Sequence, residues 1–304
     1  MKLIRILPGC PPSDAGRTVA ALGFFDGVHI GHRRLLERVT EIAAAGGLIP
    51  AVFTFSDDAL SFKPDAARLT DFPKKLDLFR EAGIKRVYAA DFPDLSGLSP
   101  ERFVSDVLIG QLNVSVAVCG FNFRFGARAA GDSETLVRLM REAGGDAEVI
   151  DPTVLDGTVV SSSAIRALLA DGDVERARRM LGRPYSFTGE VEHGRGYGRT
   201  EGIPTVNLPI PPHLAVPRRG VYRSRVVLGG EESYPAVSNV GVRPTFGGTT
   251  VNCESYLIDY TGGDLYGREA RVELLGFLRD ERRFDTPEEL YRQIERDVAA
   301  AKRG

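Results

Sequence analysis

The sequence predicts an α/β chain in two parts: a doubly wound parallel sheet, then a small all-β barrel with one terminal helix. Three observations carry this. Up to about residue 182, apolar runs alternate with helical patterns, as in an open parallel sheet with helices on both faces. Beyond it, short extended runs are separated by glycine and proline turns. The closing TPEELYRQIERDVAAAKR places Leu290, Ile294 and Val298 four apart behind Thr286 and Pro287, which is a capped helix. The expected domains are 1–183 and 184–304.

In the first part, TVAALGFF (18–25) reads as a buried strand. HRRLLERVTEIAAAG (32–46) puts Leu35, Leu36, Val39, Ile42 and Ala43 on one helical face. LIPAVFTF (48–55) is a strand, PKKLDLFREAGI (73–84) a helix and RVYAADF (86–92) a strand. SPERFVSDVLIGQL (99–112) is a helix, with Ser99 as N-cap and Pro100 at the first position. VSVAVCG (114–120) is a strand, SETLVRLMREAG (133–144) a helix and AEVIDP (147–152) a strand. In the second part GVYRSRVVL, SYPAVSNVG, VNCESYLIDY and EARVELLGFL are strand candidates.

Composition limits the function. There are 23 Lys and Arg against 24 Asp and Glu up to residue 183, and 16 against 17 beyond it. Neither half has the basic field of a nucleic-acid binder, so anions would bind at local sites. The three cysteines, Cys10, Cys119 and Cys253, lie far apart and form no CxxC pair, which argues against structural zinc. An odd, scattered set fits a reducing compartment. The N-terminus MKLIRILPGC is basic but lacks a signal peptide's apolar stretch, and no run of ~18 apolar residues appears. The expectation is a cytoplasmic protein with no membrane and no nucleic-acid partner.

GFFDGVHIGH (23–32) lies between a strand and a helix, where open α/β sheets bind ligands. Helix N-terminal amides attract anions. Gly27 and Gly31 let backbone approach a ligand, and His29 and His32 can donate to phosphate oxygens. Arg33 and Arg34 follow in the first turn, where the helix dipole disfavours cations unless an anion compensates. The stretch reads as a polyphosphate site; its bland alternative is a turn with two exposed histidines. VVSSSAIRALLADGD (159–173) repeats the logic: Ser161 to Ser163 can cap a helix and Arg166 sits in its first turn. In CGFNFRFG (119–126), Asn122 could read a base or ribose and Arg124 could meet phosphate. Neither GxxxxGK[ST] nor a DFG with an HRD loop is present.

Together GFFDGVHIGH, GFNFRFG and SSSAIR resemble the adenylyltransferase module of bacterial bifunctional riboflavin kinase/FMN adenylyltransferases. The resemblance implies a Rossmann-like nucleotidyltransferase domain in which His29 and His32 steady ATP phosphates. It implies that Gly23, Phe24, Asp26, Gly27, Gly31, Asn122, Arg124, Ser162, Ser163 and Arg166 line the nucleotide site, with Arg166 joining the two histidines in catalysis.

HGRGYGRTEGIPTVNLP (193–209) has a glycine-rich charged loop before PTVN. Thr205 and Asn207 alternate on one face of an extended run and offer hard oxygens suited to Mg²⁺, which shares substrate phosphates. In VNCESYLIDY, Glu254 shares a face with Tyr256 and Ile258, where burial of a carboxylate is costly unless it is paired or used. One use is as general base for a substrate hydroxyl. A polar-edged turn and a salt-bridged rim glutamate are the bland alternatives.

GRGYGRTEGIPTVN, SNVGVRPTFGG, CESYLIDYTGGDLYG and FLRDERRF, in this order, resemble the riboflavin kinase module with its PTAN motif. The resemblance implies a Greek-key barrel, Thr205 and Asn207 on Mg²⁺, Glu254 as base for the ribityl hydroxyl, and Gly194, Gly196, Gly198 and Arg199 over ATP. The implied substrates are riboflavin, FMN and ATP. Val206 stands for the motif's alanine, Glu201 for a usual leucine, and SDDALSF (56–62) for a PHP-containing loop. Two other readings stay open at this level: a single nucleotidyltransferase with a β specificity module, and a flavin carrier without turnover.

Overall fold

The computed structural model describes residues 1–7, 9, 16–56, 67–192, 205–230, 232–245 and 248–303. The chain divides into two compact units, Met1–Ala66 with Thr70–Ser161, and Ala67–Leu69 with Ser162–Gly304.

The first unit is built on six parallel strands: β1 (Lys2–Ile6), β2 (Thr18–Leu22), β3 (Ile49–Phe55), β4 (Arg86–Ala90), β5 (Val114–Gly120) and β6 (Asp146–Ile150), in the order β1-β4-β3-β2-β5-β6. The chain steps outward from β2 through β3 to β4, then returns to lay β5 on the other side of β2. That reversal opens a crevice at the carboxyl ends of β2 and β5, the place where doubly wound sheets bind ligands.

Helices cover both faces. On one side α1 (Ile30–Gly46) and α2 (Phe72–Glu81) bury Leu35, Leu36, Val39, Leu78 and Phe79 against Val19, Ala21, Val52 and Val87. Each such side chain contributes about 1.5–3 kcal/mol on burial. After the short α3 (Phe92–Leu95), the other face receives α4 (Pro100–Arg102), its π-wound continuation Phe103–Gln111, and α5 (Ser133–Glu142). These bury Phe103, Val107, Leu108, Leu136 and Met140 against Leu22, Phe53, Tyr88 and Ala117. A two-stranded hairpin, β7 (Val154–Leu155) and β8 (Thr158–Val159), turns through Asp156 and Gly157, both at positive φ, a chemistry that favours Asp-Gly.

Three sequence expectations change. The strand expected over 18–25 stops at Leu22, because Phe25, Gly27 and Val28 take positive φ and turn the chain out of the sheet. The 99–112 helix is α-helical for three residues only and then winds as π; a side chain at Gly110 would sit 3.0 Å from the Ser105 carbonyl, so glycine lets the wider turn close. Its predicted cap is present, Ser99 accepting from the Arg102 amide. β1 was not anticipated: it is a five-residue edge strand with one fully buried side chain, Ile6, and edge exposure blurs its pattern.

The second unit begins with α6 (Ser162–Asp171) and α7 (Val174–Leu181), followed by β9 (Tyr185–Glu190), β10 (Thr205–Pro209), β11 (Gly220–Leu228), β12 (Glu232–Thr245), β13 (Gly248–Leu257), β14 (Glu269–Arg279) and α8 (Pro287–Arg303). The strands are antiparallel in the order β10-β13-β12-β11-β14-β9. The sheet curls until Glu192, just past β9, bridges Asn207 of β10, its amide donating to the Asn207 carbonyl at 2.9 Å. First and last strands thereby meet as a barrel. Val206, Leu208, Cys253 and Leu257 are fully enclosed, and Ser224, Ser238 and Ser255 run as a hydroxyl chain across β11, β12 and β13 with O···O distances of 2.6 and 2.7 Å. α8 is fixed by a fork of Arg279 onto Asp297 at 2.8–3.1 Å.

Candidate active sites

The first site is the turn after β2. Phe25 is left-handed at φ 54, Gly27 at φ 80 and Val28 at φ 38, so the chain reverses within four residues and delivers His29 to the start of α1. His29 is the N-cap: its Nδ1 accepts the His32 amide at 3.2 Å. A capping Nδ1 has no proton in the neutral ring, so Nε2 carries it and is the donor. The two imidazoles stack, centroids 3.6 Å apart at 14°, and Phe25 meets His32 edge-on at 5.1 Å. His29 is 6% exposed and His32 half-buried. The structure thus brings the predicted pair together as one stacked unit.

Gly31 has a steric reason. A Cβ there would lie 3.2 Å from His29 Nδ1, 3.3 Å from its Cε1 and 3.6 Å from Thr153 Oγ1. Gly23 is tied by its amide to the Phe53 carbonyl at 3.1 Å, Phe24 is exposed on the rim, and Asp26 opens the short turn. Of the arginines, Arg34 reaches Thr153 Oγ1 at 3.5 Å.

The loop after β5 carries Asn122, whose Oδ1 folds back over Gly120, 3.6 Å from where a Cβ would be. Arg124 is exposed and pairs with Asp132 at 3.8 Å. Asp132 caps α5; the Thr135 amide and hydroxyl hold its carboxyl below the ordinary value, with Arg124 adding less. Because β5 neighbours β2, the 121–126 loop and the histidine turn leave adjacent strand ends. Ser162, Ser163 and Arg166 lie in the second unit; the serines open α6, and Arg166, past the expected first turn, bends back to donate to Ser163 Oγ at 3.3 Å.

The second site is read from strand register. Asn207 of β10 stands directly opposite Glu254 of β13, and Glu254 stands opposite Asn239 of β12. Directly opposed residues share a face with Cβ atoms about 4.5–5.5 Å apart. Thr205 pairs with Tyr256, one step along the same face. Asn207 is 3% exposed and its Oδ1 accepts from Asn252 Nδ2 at 3.2 Å. Glu254 is exposed, so the cost of burial does not apply to it; what marks it is the row of amides beside it. Asn239 and Asn252 were missed by sequence reasoning: Asn252 falls on the alternation that singled out Glu254, but Asn239 lies on β12 and only the strand register brings it opposite. Val206 is enclosed and faces Ser255 rather than the Thr205–Asn207 face, so its extra methyl groups meet the barrel interior. Among the described residues no group of three or more His, Cys, Asp or Glu could hold a metal ion. Thr205 and Asn207 offer neutral hard oxygens, a set that fits Mg²⁺ only when phosphate and water complete its shell. Gly194, Gly196, Gly198, Arg199 and Glu201 lie outside the described residues, as do residues 57–62 and Cys10.

Comparison with known proteins follows the same division. A family model for FAD synthetase matches residues 12–164 and one for riboflavin kinase matches residues 181–304. The bifunctional riboflavin kinase/FMN adenylyltransferase of Escherichia coli K12 is 37% identical over 306 residues, covering 99% of this chain and 97% of that one. The Bacillus subtilis protein of the same name is 35% identical, covering 95% and 93%. A crystal structure from Streptococcus pneumoniae, named as a macrolide-efflux protein, superposes with a TM-score of 0.89 at 27% identity over 99% of this chain and 98% of that one. No helix among the described residues is long and apolar enough to cross a membrane. Both halves, in order and at full length, carry the match: the chain belongs to the bifunctional riboflavin kinase/FMN adenylyltransferase family.

Proposed function

We propose that the chain carries out two consecutive steps of flavin cofactor synthesis, one in each module. It phosphorylates riboflavin to FMN with one ATP, then transfers AMP from a second ATP to FMN, giving FAD and pyrophosphate. The activities divide at 183/184, between adenylyltransferase residues 1–183 and kinase residues 184–304; the family models leave the stretch between 164 and 181 unmatched.

In the kinase step the terminal ribityl hydroxyl attacks the γ-phosphorus, the bond to the β–γ bridging oxygen breaks and ADP leaves, and Glu254 accepts the hydroxyl proton. Exposure leaves that carboxylate within reach of substrate. Thr205 and Asn207 would hold Mg²⁺, which draws charge off the phosphates when bound. The loop bearing Gly194, Gly196, Gly198 and Arg199 would cover ATP. In the adenylyl step the FMN phosphate attacks the α-phosphorus and pyrophosphate leaves, so no protein nucleophile is needed. His29, through Nε2–H, and His32 stabilise the charge that grows on the phosphate oxygens. Asn122, Arg124, Ser162, Ser163 and Arg166 keep the nucleotide roles that the resemblance gives them.

The observation that carries the two-site reading is the register of β10, β13 and β12, which sets Glu254 between Asn207 and Asn239 in a unit separate from the stacked histidines. Chromatography of products from riboflavin, ATP and Mg²⁺ tests it. His32→Ala should abolish FAD and leave FMN; Glu254→Ala should stop FMN formation yet still convert supplied FMN to FAD. Loss of both activities in either folded variant rules the division out.

A further inference from the structure

Lys75 is a buried cation that neither site accounts for. It is 6% exposed, in the first turns of α2. It shares a face with the buried Leu78 and Phe79, three and four residues on. Lysine is almost never fully buried without a partner, because an ammonium gives up strong hydration on burial. Its Nζ donates to the Phe24 carbonyl at 3.1 Å and lies 5.5 Å from the Phe72 ring centroid. The same carbonyl accepts the fully buried Thr54 hydroxyl at 3.2 Å. Two donors from different elements, α2 and the end of β3, therefore converge on one peptide group.

That peptide is where strain begins. Phe25 follows at φ 54, then Gly27 at φ 80 and Val28 at φ 38. A non-glycine residue held left-handed is strained by its Cβ, and two of these three are not glycine. Such a turn persists only where its surroundings over-determine it. The next residue, His29, caps α1 and stacks on His32.

We propose that Lys75 is a positioning residue for adenylyl transfer: by holding the Phe24 carbonyl it fixes the left-handed turn that sets the His29–His32 pair. This rests on the reading that the pair faces nucleotide phosphates. Lys75 touches neither imidazole by these contacts and acts through the backbone between them. Thr54 shares the clamp from the sheet side.

The test uses the full-length chain and follows FAD formation from FMN and ATP, with riboflavin phosphorylation in the same preparation as the control for protein concentration and thermal unfolding by circular dichroism as the control of folding. Lys75→Met keeps the length and removes the donor; it should lower kcat for FAD formation on the order of 10²-fold, the cost of misplacing a catalytic group by about 1 Å. KM for ATP should change far less, and riboflavin phosphorylation should stay within about twofold. Lys75→Arg, which restores a cationic donor, should recover most of kcat, and Thr54→Val should lose part of it. In a Lys75→Met background Thr54→Val should add less than it does alone, because both side chains hold the same Phe24 carbonyl. Wild-type kcat in Lys75→Met, or an undiminished further loss from Thr54→Val in that background, overturns the proposal. Should Lys75→Met fail to fold, Thr54→Val decides: wild-type kcat there overturns the clamp. If His32→Ala itself leaves FAD formation intact, it is the histidine reading that falls.

Discussion

Gly31→Ala should lower FAD formation, with the helix's gain in stability offset by the close contact at His29. Gly31 is the second residue of α1 and its φ is not in the left-handed region, so alanine is conformationally acceptable there. Replacing a helical glycine by alanine is worth roughly 0.5–1 kcal/mol. The new Cβ, however, lands 3.2 Å from His29 Nδ1 and 3.3 Å from Cε1. Carbon pairs prefer about 3.5–4.0 Å, so the ring must yield by a few tenths of an ångström. It cannot move alone, since its Nδ1 accepts the His32 amide and its face stacks on His32 at 3.6 Å. The whole donor pair is displaced. A fall in FAD formation on the order of 10-fold follows, against 10²-fold for a full ångström. Steady-state assay of FMN and ATP to FAD, with riboflavin phosphorylation as control and thermal unfolding of the same samples, measures all three effects. Unchanged FAD formation would show that the imidazole position at α1 is not used in catalysis, whatever happened to the melting temperature.

Two further outcomes concern the second unit and the buried thiols. Asn252→Ala removes the amide that donates to Asn207 Oδ1 at 3.2 Å; if Asn207 is the ligand proposed above, losing such a supporting partner typically costs about 10–100-fold, so riboflavin phosphorylation should fall in that range while FAD formation from supplied FMN holds. Equal rates in variant and parent would remove Asn252 from the site. Burial pushes the Cys119 and Cys253 thiols up to about 12, so both stay protonated and unreactive at pH 8, and iodoacetamide should label them only as fast as the chain unfolds. Their folded state holds its protons above the unfolded thiol's ordinary value, so these two groups lower stability progressively as pH rises from about 9 towards 12. Rapid labelling of either residue in native protein at pH 8, or stability that climbs across that alkaline window, would contradict this.

The strands of the first unit were legible wherever both neighbours bury them. VSVAVCG matches β5 residue for residue, because an interior parallel strand is apolar throughout. β1 escaped because it pairs on one side only and shows no clean alternation: Leu3 is exposed beside Lys2, and only Ile6 is buried. The π winding after Arg102 escaped for another reason: a sequence shows helical periodicity, and the apolar residues of 103–111 lie nearly all round, leaving no stripe whose drift could be followed. The histidine pair was legible as chemistry but not as geometry; nothing in HIGH declares that one ring caps the helix and the other stacks on it. Lys75 had a signal that was passed over, since its spacing from Leu78 and Phe79 is that of a buried face. Asn239 and Asn252 needed the register of three strands, which no single strand's alternation contains.

Strand order also bears on how the molecule is made. β2 lies between β3, which follows closely in the chain, and β5, with Thr18 hydrogen-bonded across to the Val114 strand. A nascent polypeptide that has emerged only through α2 already contains both imidazoles, but half of the crevice around them is still to be synthesised. Long-range parallel pairing of this kind is slow, because loop closure comes before any reward. Until β5 is made, the β5 side of β2 stays unpaired, and the crevice at its carboxyl end is completed only late in the synthesis of its unit.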